Sequence, residues 1–124
     1  MKVIVTSQGT DLESQVDPRF GRCANFIIVD TESLEFSAVP NAAGGAIGGA
    51  GIQAGQFIAE QGIEAVITGN VGPNASRVLS CAGIKIYVGA SGTVRQAVED
   101  FKAGKLNAAS GPTVGGHWGM GGKF

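Results

Sequence analysis

Residues 65–86, AVITGNVGPNASRVLSCAGIKI, decide the fold. Ala65-Val66-Ile67 is a short apolar run, the signature of a strand buried on both faces. Gly69 and Gly72 interrupt it, and Pro73 then suits the first position of a helix. Ala75, Val78, Leu79 and Ala82 recur at helical spacing and share one apolar face, which Gly83 closes. Ile84 and Ile86, continued by Val88, open the next strand. Strand, helix and strand in that order make a right-handed crossover, so the two strands run parallel.

The same grammar extends in both directions. Thr93 with Gln96 reads as a capping box. Val94, Ala97, Val98 and Phe101 form a further amphipathic face, ended by Gly104. Upstream, Ala50, Ala54, Phe57 and Ile58 fall on one helical face, ended by Gly62. Val3-Ile4-Val5 and Phe26-Ile27-Ile28-Val29 are buried-strand runs, and Leu34, Phe36 and Ala38 alternate as in an edge strand. Thr31-Glu32-Ser33 is short enough for a hairpin between the last two. The order β-β-β-α-β-α-β-α predicts an α/β fold with a mixed five-stranded sheet and three helices. Residues 1–106 then form a single domain. Residues 107–124 carry no periodicity and read as a flexible Gly-rich tail.

Composition agrees with one domain. The chain has 124 residues, of which 44% are hydrophobic, so it can bury roughly two-thirds of its unfolded surface. Nine basic residues face ten acidic ones, and a net charge of −1 gives no nucleic-acid or anionic-membrane footprint. No apolar run approaches the ~18 residues of a membrane span. The opening Met1-Lys2-Val3-Ile4-Val5 reads as a strand and not a leader, which predicts a cytoplasmic protein. Glycine is the outlier, at 21 residues.

Strand directions concentrate those glycines. The first, third, fourth and fifth strands end at one edge of the sheet, and all three helices begin there. Loops carrying Arg19, Phe20, Gly21, Arg22, Gly49, Gly51, Asn70, Gly72 and Asn74 therefore converge. Ligands of open α/β sheets bind beyond the carboxyl ends of the strands, and helix N-termini favour anions. A site for a small anionic ligand is expected.

Other chemistries fit less well. Gly49-Ala50-Gly51-Ile52-Gln53-Ala54 matches a dinucleotide pattern, but no acidic residue ends the next strand. Gly104-Lys105 lacks the following Ser or Thr of a P-loop. Asp11, Glu13 and Asp17 share one loop with no acidic partner on the first strand, and read as a solvated loop. His117 is the only histidine, and it lies in the tail. A nucleophile–base pair is thus not expected, nor is an enzyme. Cys81 reads as a partly buried filler. Cys23, beside Arg22, is either an open iron ligand or a buried small residue at a strand start. His117 is the other candidate metal ligand.

Asp17-Pro18-Arg19-Phe20-Gly21-Arg22, followed by Phe26 and Asp30, resembles the signature loop of the dinitrogenase iron–molybdenum cofactor biosynthesis family. Gly48-Gly49-Ala50-Gly51, Gly69-Asn70-Val71-Gly72-Pro73-Asn74-Ala75 and Ala82-Gly83-Ile84-Lys85-Ile86-Tyr87 extend the likeness over about residues 1 to 106. The resemblance implies a ribonuclease H-like motif with strand order 3-2-1-4-5. It also implies non-catalytic binding of an anionic iron–sulfur or iron–molybdenum cluster or precursor, with cofactor-assembly proteins as partners. The alternative is a regulatory or interaction module that binds a small phosphorylated ligand or a partner protein.

Overall fold

The computed structural model describes residues 1–41 and 50–109, with only the backbone of 50–54. The chain forms β1 (Lys2–Ser7), β2 (Asn25–Asp30), β3 (Phe36–Pro40), α1 (Ala50–Ala59), β4 (Ala65–Ile67), α2 (Pro73–Cys81), β5 (Lys85–Val88), α3 (Val94–Lys102) and β6 (Asn107–Ala109). The sheet order is β3-β2-β1-β4-β5-β6. The expected order of the first five strands is found, but the sheet has six strands, not five. β6 pairs antiparallel with β5, placing Asn107 opposite Val88 and Ala109 opposite Ile86. Residues 107–109 are thus part of the sheet. The rest of the expected tail, 110–124, lies outside the described residues.

Alternation along the central strands sends side chains to two cores. Ile4, Val66 and Ile86 face one side, with Phe26, Ile58, Val71, Ala75 and Leu79. Val3, Val5, Ile27, Val29 and Ile67 face the other, with Val94, Ala97 and Val98 of α3. α1 and α2 therefore cover one face and α3 the other. A fully buried Ile or Phe contributes about 1.5–3 kcal/mol relative to exposure. These two layers hold the edge described below.

α1 and α2 both run from the end of one upward strand to the start of the next, so they lie parallel. Gly55 and Val78 stand five residues beyond the first residues of their helices, Ala50 and Pro73, and they meet. A Cβ on Gly55 would lie 2.9 Å from Val78 Cγ1. The two helices therefore pack against each other at the same number of residues from their starts.

The hairpin turns where the sequence places it. Asp30 Oδ1 accepts the backbone N–H groups of Glu32 (2.9 Å) and Ser33 (3.1 Å), and Leu34 closes the turn at φ 62°. Hydrogen bonds from Ser33 and then Glu32 hold the Asp30 carboxyl below the usual carboxylate range. The helix stops predicted at Gly62, Gly83 and Gly104 all lie at positive φ.

Candidate anion site at the strand ends

The loop after β1 folds back over the sheet edge. The Asp17 N–H donates to the Thr6 carbonyl (2.9 Å), and the Thr6 hydroxyl donates to the Asp17 carbonyl (2.6 Å). Thr6 Oγ1 also lies 2.8 Å from Thr68 Oγ1. A hydroxyl carries one proton, so Thr68 is the donor in that second contact. These buried hydroxyls lock the loop to the ends of β1 and β4.

Pro18–Phe20 then runs beside Gly69–Val71 as a one-pair parallel bridge, Arg19 opposite Asn70. Asn70 N–H donates to the Pro18 carbonyl (2.9 Å) and Phe20 N–H to the Asn70 carbonyl (3.4 Å). Gly69 permits this approach, because a Cβ there would lie 2.6 Å from Pro18 Cα and 2.9 Å from its carbonyl oxygen. Paired residues of a bridge send their side chains to the same side. Phe20 and Val71 go into the core, where the Phe20 and Phe26 rings are 5.9 Å apart. Arg19 stays half exposed on the outside, with Asn70 partly so. Phe20 therefore reaches the site only through its backbone.

Gly21 is buried at φ 92°, and Arg22 is exposed. Asn41, just past β3, clamps this turn: its Nδ2 donates to the carbonyls of Gly21 and Cys23, both at 3.0 Å. The same nitrogen lies 3.7 Å from Cys23 Sγ. Cys23 is only 1% exposed. Burial, and then the Asp17 carboxylate, push its thiol up from an ordinary 9.0 to about 12. Cys23 thus matches the buried small residue at a strand start, with its thiol held in the neutral form. Cys81 is exposed, not partly buried as its helical position suggests.

The helix N-termini are not equivalent. At α3, the Thr93 side chain accepts from Gln96 N–H (3.1 Å). The next donors, Val94 and Arg95 N–H, go to the carbonyls of Ser14 (2.9 Å) and Leu12 (2.8 Å). Arg95 also pairs with Glu13 at 2.7 Å. That end is closed, although α3 too begins at the edge where an anion site is expected. The capping box is half formed, since Gln96 Nε2 donates to Asp100 Oδ1 (2.8 Å) instead of reaching back.

At α2, the N-cap is Gly72, with no side-chain cap, and the first turn holds no acidic residue. Pro73 has no N–H, and Ser76 N–H donates to Gly72 (3.0 Å). The Asn74 and Ala75 N–H groups have no partner among the described residues. A Cβ on Gly72 would meet nothing within 4 Å, and Asn74 is exposed. This open end continues directly from the Asn70 that pairs with Arg19. Arg19, Asn70, Gly72 and Asn74 are thus brought together, with Gly21 and Arg22 on the adjoining turn.

Gly51 falls in the first turn of α1, while Gly49 and His117 lie outside the described residues. Among the described residues, no group of three or more His, Cys, Asp or Glu could hold a metal ion. No described helix is long and apolar enough to cross a membrane.

Sequence pattern alone undervalued four residues of this edge. Asp17 is only 3% exposed and is not part of a solvated loop. Asn41, Thr6 and Thr68 act through tertiary contacts that no local pattern announces.

The sequence profile of the dinitrogenase iron–molybdenum cofactor family matches residues 1–104. The chain belongs to this family. Membership associates it with iron–molybdenum cofactor biosynthesis and with the nitrogenase accessory proteins. An uncharacterised relative from Methanocaldococcus jannaschii is 32% identical over 96 residues, 75% of this chain and 81% of its own length. The apo form of the orange protein from Desulfovibrio gigas is 42% identical, with a TM-score of 0.86 over 90% of this chain and 95% of that one. A Thermotoga protein of the DUF35 family, provisionally named NifB, is 39% identical, with a TM-score of 0.78 over 90% and 96%. The two solved structures share the mixed α/β architecture described above.

Proposed function

We propose that this protein is a non-catalytic carrier of an anionic iron–sulfur or iron–molybdenum cluster, or of its precursor. The ribonuclease H-like description of the fold, a cytoplasmic location and transfer to or from cofactor-assembly proteins go with this reading. One observation carries it: the uncapped N-terminus of α2 opens beside Arg19, with no acidic residue in its first turn. Backbone N–H groups, a helix dipole and a guanidinium make an anion cradle. Family membership and a relative described in an apo form support a cluster as the anion. Recognition then rests on Arg19, Arg22, Gly21, Gly51, Gly72, Asn70 and Asn74, with Gly49 and His117 as candidates beyond the described residues.

The test is anaerobic titration with isolated iron–molybdenum cofactor and with a synthetic [4Fe–4S] tetrathiolate. Charge-transfer absorption that co-elutes with the protein, and weakens in Arg19→Ala, is the expected result. Protein that stays colourless at micromolar concentration would overturn the reading. The buried state of Cys23 favours a second reading, in which the same cradle takes a phosphorylated metabolite without any thiolate. A thermal-shift series with inorganic phosphate and nucleotides, showing a rise with these and none with clusters, would select it.

A further inference from the structure

We infer that Asp17 is a positioning residue for the anion site, acting through Arg19; the inference rests on the reading just given. Asp17 is held on every side. Its N–H and carbonyl bond to Thr6. Its Oδ1 accepts the backbone N–H of Arg19 at 2.9 Å and faces Arg19 Nε at 3.4 Å. The carboxylate is buried, whereas the Arg19 side chain is 51% exposed. An arginine gripped at Nε leaves its two terminal amino groups for another partner. Those groups form the outer part of a donor fork suited to paired oxygen or sulfur atoms of an anion. A free arginine side chain carries rotamer entropy, which a binding partner would otherwise have to overcome. Asp17 removes part of that cost before the ligand arrives.

The inference has an unusual sign. A buried carboxylate next to an anion site repels the anion, so simple Coulomb reasoning says its neutralisation strengthens binding. Positioning says the opposite: without its charge, Arg19 is released and binding weakens. Asp17→Asn keeps the shape and an oxygen that can accept the Arg19 backbone N–H. The experiment is a double-mutant cycle of full-length wild type, Asp17→Asn, Arg19→Ala and the pair. Each is titrated with the synthetic [4Fe–4S] tetrathiolate dianion, and the Arg19 Nε–H is followed by nitrogen-15 NMR in the wild type and in Asp17→Asn.

We expect Asp17→Asn to bind roughly tenfold more weakly while staying folded. In the Arg19→Ala background the same change should leave binding unaltered or slightly tighter. The Arg19 Nε–H should be a resolved, slowly exchanging signal only in the wild type. Tighter binding by Asp17→Asn alone, or an equal loss in both backgrounds, overturns the inference while leaving the carrier reading intact. A wild type that binds no cluster overturns both. If Asp17→Asn fails to fold, Asp17→Glu replaces it; the longer carboxylate keeps the charge but shifts the grip, and unchanged affinity together with an unchanged Nε–H signal overturns the inference.

Discussion

Gly69 lies against Pro18 so closely that a Cβ on the glycine would be 2.6 Å from the proline Cα. The obstructing atoms are the Pro18 backbone and its rigid ring carbon, so neither side can turn aside. Gly69→Ala should separate the loop after β1 from the end of β4. Overpacking of this kind costs about 1–3 kcal/mol. The melting temperature should fall, and cluster affinity should fall with it, because the Arg19–Asn70 bridge opens. Thermal denaturation and titration on the same preparation check both.

Gly72 should respond in the reverse manner. An added Cβ there meets nothing, and its φ of −87° suits any residue. Gly72→Ala should lower stability by no more than about 1 kcal/mol, since glycine is a better N-cap than alanine. The methyl group would stand where a ligand must reach the Asn74 and Ala75 N–H groups. A clear loss of affinity with only a small fall in melting temperature is expected. Equal affinity would show that the ligand does not approach the α2 backbone.

Thr93→Ala provides the contrast. It removes the side-chain cap on Gln96 N–H, worth ~1 kcal/mol. Leu12 and Ser14 keep the adjacent donors occupied, so α3 remains closed to anions. Lower stability with unaltered cluster affinity is the expected result, read by denaturation and titration.

The two cysteines should separate in their reactivity. Iodoacetamide near neutral pH should label exposed Cys81 and spare buried Cys23, giving one adduct per native chain and two in denaturant by mass spectrometry.

Alkali should expose the Cys23 thiol in another way. Its folded pKa of about 12 lies above the ordinary 9.0. The folded state therefore keeps a proton that the unfolded chain gives up first. This contribution is whole below pH 9.0 and is lost as pH rises toward about 12. Denaturation midpoints should decline across that interval, and Cys23→Ala should lack that part of the decline.

Much of the architecture was legible because its signals are local. Pro73, the three glycines after the helices and the two-faced apolar runs each act within a turn or a strand. β6 carries no strand signal in sequence, because Asn107-Ala108-Ala109 has no β-branched or aromatic residue. The unpaired edge of β5, not an intrinsic preference, draws it into the sheet. The candidate site was legible as an edge but not in its inequalities. Thr93 announces its own cap, yet the carbonyls that close α3 come from Leu12 and Ser14, far away in sequence. Asp17 looked like one of several loop acids, and only its fit under Thr6 sets it apart from Glu13, which reaches outward to Arg95. Cys23 reads from sequence as either an open ligand or a buried small residue, and only the enclosure by Asn41 and the core distinguishes the two.

Gly55 also acts as a ruler. Its missing side chain sets how near α1 comes to α2. A larger residue at this single interior position would widen the gap between the helices without changing any group that faces the ligand. In the proposed carrier, the spacing of these two helices is thus set apart from the groups that would face an anion.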